Sequence, residues 1–462
     1  MRILLVIYDN DSYMTWFPQG PAYIAAVLRE AGHEITIYNQ DVDHSPDDHL
    51  REHLDKNRFD VVGIGVIAGY YQYRKLIGLS RAINNSKQRP FFILGGFGPS
   101  ADPSYFLTVT QADAVVCGEG EQTMLDIVSA LEDNRSVKGI AGSVIRDGAE
   151  IIPGPERPLI EDIDALPQPA YDLFPIEYYR LLRFPHCRGS DFVMPVLSGR
   201  GCTFKCTFCY RMDKGFRGRS NEAILEEIAF LQKNYGISYI VFSDELLMIS
   251  EERTLSIAEA IIASGLKFKW TCNGRLNYAK PHVLKAMKAS GCVFINYGIE
   301  AMDDEVLKNM KKGLKVAQIY PGIEATLEQG ISPGFNIIFG NIGDSRETLQ
   351  KGVDFLLKYD DGAQLRTIRP VTPYPGSPLY HTAIAQGKLK DCEDFYKNKH
   401  TNSDLLSVNF TDMSDEEFHE ALFEANSMLL ENYYEKQKQR SIETARQLYL
   451  ENDSGFRGFR QT

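Results

Sequence analysis

The sequence predicts two α/β domains in tandem and a helical extension. The first is a Rossmann-like (flavodoxin-like) parallel sheet at the N-terminus, the second a partial (β/α)6 barrel of TIM type in the centre, and the C-terminal region is helical. Three observations carry this prediction. Apolar runs alternate with helical patterns twice, across 2–135 and again across 195–371, and such alternation buries parallel strands under helices on both faces. A proline-rich stretch separates the two series. After residue 380 the strand patterns stop. The expected boundaries are 1–140 for the first domain, 141–190 for a hairpin and linker, 191–380 for the barrel and 381–462 for the helical region and tail.

The strands of the first series are "RILLVIY" (2–8), "EITIYN" (34–39), "VVGIGVI" (61–67), "FFILGG" (91–96) and "DAVVCGEG" (113–120). Between the first two, "GPAYIAAVLREAGH" (20–33) has helical spacing and stops at a glycine. Gly63, Gly65, Gly95, Gly96, Gly118 and Gly120 gather at the strand ends. Singly each is turn chemistry; together at the carboxyl edge of one sheet they predict a ligand crevice. "SVIRDGAEII" (143–152) is a hairpin around Asp147-Gly148. "PGPERPLIEDIDALPQPAYDLFP" (153–175), with six prolines, predicts an extended surface linker.

In the second series the strand candidates are 195–201, 238–246, 269–275, 292–300, 334–340 and 363–371, with helical patterns such as 221–236 and 252–265 between them. Six βα units in a row suit a partial barrel, whose chemistry sits at the C-terminal strand ends. "SDEEFHEALFEANSMLLENYYEKQKQR" (414–440) opens with a capping box, Ser414 with Glu417, and continues as a helix.

Composition excludes some functions. Net charge is −12, from 50 Lys and Arg against 62 Asp and Glu, which argues against a dedicated nucleic-acid binder. No apolar run approaches the roughly 20 residues of a membrane span. "MRILLVIYDND" predicts a first strand rather than a signal peptide. The expected location is cytoplasmic, with reduced thiols, so crowded cysteines point to metal or catalysis.

Three of the eight cysteines crowd into "RGCTFKCTFCYR", at 202, 206 and 209. Structural zinc usually takes four ligands from two separated pairs. Here Cys117, Cys187, Cys272, Cys292 and Cys392 are scattered singly. Three close thiolates suit a [4Fe–4S] cluster with one iron left open, since full ligation uses four. The alternatives are a chance loop of thiols or a zinc site completed by His186 or Cys187.

The loop resembles the cluster loop of radical S-adenosylmethionine (SAM) enzymes. The resemblance implies that Cys202, Cys206 and Cys209 hold a [4Fe–4S] cluster whose open iron binds the amino and carboxylate groups of SAM. Reduction then cleaves SAM to a 5′-deoxyadenosyl radical that abstracts a substrate hydrogen. "IVFSDELLM" (240–248) resembles the family's second strand and offers Ser243, Asp244 and Glu245 to SAM. "WTCNGRLN" (270–277) is similar to the third strand, with Arg275 for the SAM carboxylate. "YGIEAMDDEVLKNMKKG" (297–313) resembles the family's GIES segment and puts Glu300 toward SAM. "GFNIIFGNIGDSRET" (334–348) resembles the strand that meets the adenine and brings Asn336 into the SAM set. Asn341-Ile342-Gly343-Asp344 stands where relatives commonly show a Pro-Gly-Glu turn.

The front domain resembles the cobalamin-binding domain that precedes many radical SAM barrels, through 17–39, 61–66, 93–100 and "VVCGEGEQT" (115–123). It lacks the D-x-H-x-x-G motif whose histidine ligates cobalt in mutases, which implies a corrin with no histidine below it. Tyr13, Trp16, Gly65, Gly69, Tyr70, Gly95, Gly96, Gly118, Glu119 and Gly120 are the implied cobalamin contacts. The resemblance implies an enzyme that modifies an unactivated carbon of a small-molecule or peptide substrate, with methyl transfer from methylcobalamin leading and cyclisation or rearrangement as the alternative. An electron donor such as flavodoxin or ferredoxin would supply the reduction. A tRNA methylthiolase would carry three cysteines in its front domain, and this one has Cys117 alone. A non-catalytic cluster- or corrin-binding sensor would have lost the SAM-facing residues, yet Glu245, Arg275 and Glu300 are present.

Overall fold

In the computed structural model the described residues are all but 12–15, 213, 454, 456–458 and 460–462. Tyr13 lies outside them. The first sheet has seven strands: β1 (Arg2–Ile7), β2 (Glu34–Asn39), β3 (Val61–Gly65), β4 (Phe91–Gly95), β5 (Ala114–Val116), β6 (Ser143–Asp147) and β7 (Glu150–Pro153). Their order is β2-β1-β3-β4-β5-β6-β7. The first five are parallel in the flavodoxin-like order, so their carboxyl ends share one edge. The hairpin β6–β7 extends this sheet antiparallel against β5.

The second sheet contains β8 (Val193–Val196). After it a small ladder forms from β9 (Gly199–Arg200) and β10 (Arg217–Gly218), and the sheet continues through β11 (Tyr239–Phe242), β12 (Lys269–Gly274), β13 (Cys292–Glu300), β14 (Ser332–Phe339) and β15 (Arg369–Pro370). The six-stranded order is β15-β14-β13-β12-β11-β8, parallel throughout and open between β8 and β15: a half-barrel. Serines 220, 250 and 345 cap the following helices by accepting from backbone N–H groups.

Two expectations change. The strand expected at 195–201 ends at Val196, because the Ser198 N–H donates to the Asp244 carboxylate (2.6 Å) and leaves the ladder. The chain then turns into the β9–β10 hairpin, which brackets the cysteine loop. The proline-rich segment runs largely exposed and extended over 153–168, as expected, but its end turns inward: Tyr171 and Phe174, with Tyr179 just beyond, are buried around Phe17, with Tyr171 stacked on it at 5.0 Å. Its aromatic residues make it a wedge between the two sheets. Tyr171 donates to Glu227 (2.5 Å), which also pairs with Arg219 in the barrel.

The C-terminal region braces both sheets. Tyr396 stacks on Tyr73 of the first domain (4.5 Å). Phe418, Leu422, Ala425 and Leu429 face one side of the helix Asp415–Leu450, and Phe418 stacks on Phe339 of β14 (4.8 Å). Beside Tyr396, His400 is wholly buried against Phe395, Tyr374 and Tyr70, and neither ring nitrogen has a hydrogen-bond partner. Burial pushes its pKa from 6.5 down to about 4. Below pH 6.5 the unfolded chain takes a proton that the folded chain refuses, so this group removes stability as pH falls toward 4. Denaturant unfolding at pH 7 and pH 5 should show a loss in the wild type that His400→Leu lacks, a difference of about 2 kcal/mol at pH 5. Equal pH dependence in both proteins would contradict this account.

Candidate active site

Both sheets turn their carboxyl edges toward each other. Several contacts cross the gap. Ser243, just past β11, donates to Gln19 at the start of the first helix (2.6 Å). Tyr210 packs edge-on against Phe97 after β4 (6.2 Å). Arg200 and Arg217 of the β9–β10 ladder reach Glu119 after β5 (2.7 and 2.8 Å). A Cβ on Gly376, whose φ is +84°, would lie 2.6 Å from the Tyr210 ring and 3.3 Å from the Ala101 side chain. The cysteine loop sits inside this gap.

The loop is anchored on all sides. Glu245 accepts from the Gly201 N–H (3.0 Å), one residue before Cys202. The Thr207 N–H donates to the Met310 carbonyl (2.9 Å), and the Thr207 carbonyl accepts from Leu379 (2.8 Å). The Arg275 guanidinium lies 3.5 Å from the centre of the Phe204 ring and donates to the Lys312 carbonyl. Lys312 is buried, pairs with Glu300 at 2.7 Å, and stands 5.9 Å from the Phe208 ring. Glu300 adopts φ +70°, at a bulge in the β13–β14 register, which turns its carboxylate back to Lys312. Cys206 and Cys209 share a hydrogen bond, which with the Lys312 and Arg275 charges holds the Cys206 thiol below its usual range; the same bond and burial push Cys209 up. The Cys206 site therefore favours thiolate, the form that binds metal. Among the described residues no three metal-ligating side chains converge on a single-ion position.

The alternative fourth ligands lie elsewhere. Cys187 packs with Val193, Tyr239 and Val241, and Val193 and Tyr239 open their strands. His186 accepts from Lys269, the first residue of β12, through its carbonyl (3.0 Å). Both belong to the amino ends of strands whose carboxyl ends face the loop.

The SAM set divides. Glu245, Arg275 and Glu300 gather round the loop. Ser243 instead joins the two domains through Gln19. Asp244 turns away from the lumen to Ser198, and burial raises its carboxyl to about 6. Asn336 accepts from Arg366 (3.4 Å), whose Nη2 has no partner and whose pKa burial lowers to about 10. Asn273 and Asn296 join by a hydrogen bond (3.1 Å) on the face of β12 and β13 that also carries Arg275. Lys312, Arg366, Asn273 and Asn296 were not foreseen. Lys312 lies in the "MKKG" segment and Asn273 in "WTCNGRLN", but neither segment says what its side chain pairs with.

At the opposite edge, Gly65 and Gly118 have open space where a Cβ would stand. Ile67, just past β3, is 64% exposed beside the glycines, whereas Trp16 packs edge-on against Phe184 of the linker (5.0 Å). A cavity of about 630 Å³ opens by Gly118, lined also by Ser100, Cys117, Tyr210 and Lys214. Gly69 caps the helix that Tyr70 begins, and Tyr70 packs edge-on to His400 (6.3 Å). Three implied cobalamin contacts have other work. Gly96, with φ +91°, lets the backbone pass Val66, whose carbonyl oxygen would lie 2.5 Å from a Cβ. A Cβ on Gly120 would press on Ile24 (3.0 Å), while one on Gly95 would meet only the Val116 carbonyl, at 3.8 Å. Glu119 spends its carboxylate on Arg200, Arg217 and the Ile160 N–H (2.7 Å). Burial alone would raise its pKa, but these bonds hold it below the usual range.

A sheet edge lined by glycine and exposed apolar side chains, set against a half-barrel with a three-thiol loop, defines a corrinoid domain joined to a radical SAM core. The B12 binding domain family matches residues 6–128, and the Radical SAM superfamily matches residues 196–356. An uncharacterized methyltransferase of Pyrococcus horikoshii is 32% identical over 429 residues, covering 88% of this chain and 90% of its own. The anaerobic magnesium-protoporphyrin IX monomethyl ester cyclase of Rubrivivax gelatinosus is 25% identical over 393 residues, 82% of this chain and 68% of its own. In fold, the chain is similar to the radical SAM methyltransferase TsrM of Kitasatospora setae, solved with cobalamin and a [4Fe–4S] cluster (TM-score 0.70, 18% identity, 83% of this chain and 78% of that one). The chain belongs to the cobalamin-binding radical SAM family and is an enzyme. Its cofactors are those of the family: a [4Fe–4S] cluster, SAM and cobalamin. The residues present fit them, with an all-thiol donor set held in a cationic pocket on one side and open glycines with exposed Ile67 on the other. Among the described residues no helix is long and apolar enough to cross a membrane.

Lys312 and Glu300 form a pair at 7% and 9% side-chain exposure. Lys312→Met leaves the carboxylate buried and alone, and thermal melts should register a loss of about 3–5 kcal/mol. Adding Glu300→Gln should restore more than half of it. A double variant as unstable as the single one would refute the pairing.

Proposed function

We propose that the enzyme transfers a methyl group by way of cobalamin to an unactivated carbon, with Cys202, Cys206 and Cys209 as the cluster ligands. The observation that carries this reading is the enclosure of the cysteine loop between two facing carboxyl edges, one of the corrinoid sheet and one of the half-barrel. The relative in Pyrococcus horikoshii, called a methyltransferase, supports it across 88% of the chain. When bound, the cluster would supply the electron that cleaves SAM, and cobalamin a transferable methyl group.

The chain's own residues do the positioning. Glu245 fixes the loop's entry through the Gly201 N–H, and Thr207 fixes its middle. Arg275 over Phe204, and Lys312 beside Phe208, put positive charge against the loop and favour thiolate there. Arg275 and the Glu300–Lys312 pair offer a carboxylate and an amino group of SAM their opposite charges. Phe204, Phe208 and Tyr210 keep water from the loop. The substrate is a small molecule or peptide, the electron donor a flavodoxin or ferredoxin, nucleic acid plays no part, and the thiols call for a reducing compartment such as the cytoplasm.

The test is anaerobic reconstitution with iron, sulfide, hydroxocobalamin, SAM and dithionite. The wild type should form both 5′-deoxyadenosine and S-adenosylhomocysteine, and keep corrin absorption bands after desalting. Cys206→Ala should lose at least ~100-fold in 5′-deoxyadenosine, since the electron no longer reaches SAM. 5′-Deoxyadenosine without S-adenosylhomocysteine would reject methyl transfer and favour the cyclisation seen in the name of the Rubrivivax gelatinosus relative.

A further inference from the structure

The stems of the cysteine loop are Arg200 and Arg217, and they are register partners across the β9–β10 ladder. Two like charges directly opposite in a ladder repel. Here both guanidiniums turn to one carboxylate in the other domain. Arg200 Nη1 meets Glu119 Oε1 at 2.7 Å and Arg217 Nη1 meets Oε2 at 2.8 Å. Arg200 Nη2 takes Glu121 at 2.7 Å, and its guanidinium lies 5.3 Å from the Tyr23 ring of the first domain. The linker closes the knot. The Ile160 N–H donates to Glu119 (2.7 Å) and the Ile160 carbonyl accepts from Arg217 (2.6 Å). Side-chain exposures of Glu119, Arg200 and Arg217 are 5%, 12% and 15%. Charge pairs this buried and this fully bonded hold geometry far better than exposed ones.

We infer that Glu119 is a positioning residue that clamps both stems of the cysteine loop to the corrinoid sheet, and so sets where the loop stands relative to the glycine-lined edge. Three elements that are separate in sequence meet on one carboxylate: the turn after β5, the linker, and the loop's entry and exit. A neutral side chain at 119 removes the charge the two guanidiniums share, leaving Arg200 on Glu121 and Arg217 on the Ile160 carbonyl. The loop keeps its other anchors, Glu245 and Thr207, on the barrel side. Loss of the clamp therefore loosens the loop's hold on the corrinoid domain, where Arg200–Glu121 and Tyr210–Phe97 remain, while leaving it attached to the barrel. Chemistry confined to the barrel side should persist, and chemistry that needs both domains in register should fall.

The clamp rests on the assignment of the cysteine loop to the cluster, not on methyl transfer. The full chain, reconstituted as above, is compared as wild type, Glu119→Gln, Glu119→Asp and Arg217→Gln. Amide hydrogen exchange across 199–218 should quicken at least ~tenfold in Glu119→Gln and Arg217→Gln, with β3 unchanged and Glu119→Asp in between. Corrin bands should survive desalting in all four. 5′-Deoxyadenosine should stay within about threefold of wild type while S-adenosylhomocysteine falls at least ~tenfold, the penalty for a misplacement on the order of 1 Å. Unchanged exchange at 199–218 overturns the clamp. So does loss of corrin bands with the loop still protected, which makes Glu119 a corrin contact, and so does a parallel fall of both products. If wild type forms no S-adenosylhomocysteine, methyl transfer fails as a reading and the exchange data still decide the clamp. Should Glu119→Gln not fold, Arg217→Gln removes the same contact from the other side.

Discussion

Arg200 and Arg217 face each other across a ladder of two residues a strand, and the Glu119 carboxylate between them belongs to another domain. Much of the molecule's organisation depends on that arrangement. Two parallel sheets each have a chemically active carboxyl edge. Joined by a flexible strap they would face anywhere. The ion-pair knot at Glu119, the aromatic wedge of Tyr171, Phe174 and Tyr179, and the stacking of Tyr396 on Tyr73 turn the two edges together. The crevice between them is a consequence of these contacts and not of either sheet alone.

Inside the crevice charge is arranged in layers. Arg275 and Lys312 stand against the aromatic rings of the cysteine loop, and Glu300 balances Lys312 from an unusual backbone conformation. Burial of so many charges would be unfavourable if any stood alone. Each has a partner, and the partners are drawn from β12, β13 and the loop after it. The cysteines thus sit in a positive environment in which Lys312 is paired with Glu300, while Arg275 is held by the Lys312 carbonyl and the Phe204 ring. This is an arrangement suited to thiolates and to an anionic cluster.

Much of this was legible beforehand because it is written locally. The C-x3-C-x2-C loop, Cys202 to Cys209, is recognised within eight adjacent positions, and apolar runs ending in glycine reveal strand ends in the same way. Other features were hidden because they join distant positions. Gly96 reads as a ligand glycine, but a Cβ there would strike the Val66 carbonyl. Ser243 reads as a SAM contact, but its hydroxyl goes to Gln19, 224 residues away. The segment 153–175 reads as a surface strap by its prolines and is one over most of its length, while Tyr171 and Phe174 at its end are core.

By itself the sequence determined the class of each domain, the position of the cysteine loop, and the family. Those depend on periodicity and short spacings, which the chain carries within each element. Only the tertiary structure decided which side chains share the loop's surroundings, and that the Glu119 carboxylate bonds both of the loop's stems. Such pairings arise from packing between domains, where a carboxylate at 119 and guanidiniums at 200 and 217 are brought within 3 Å by contacts that no local pattern encodes.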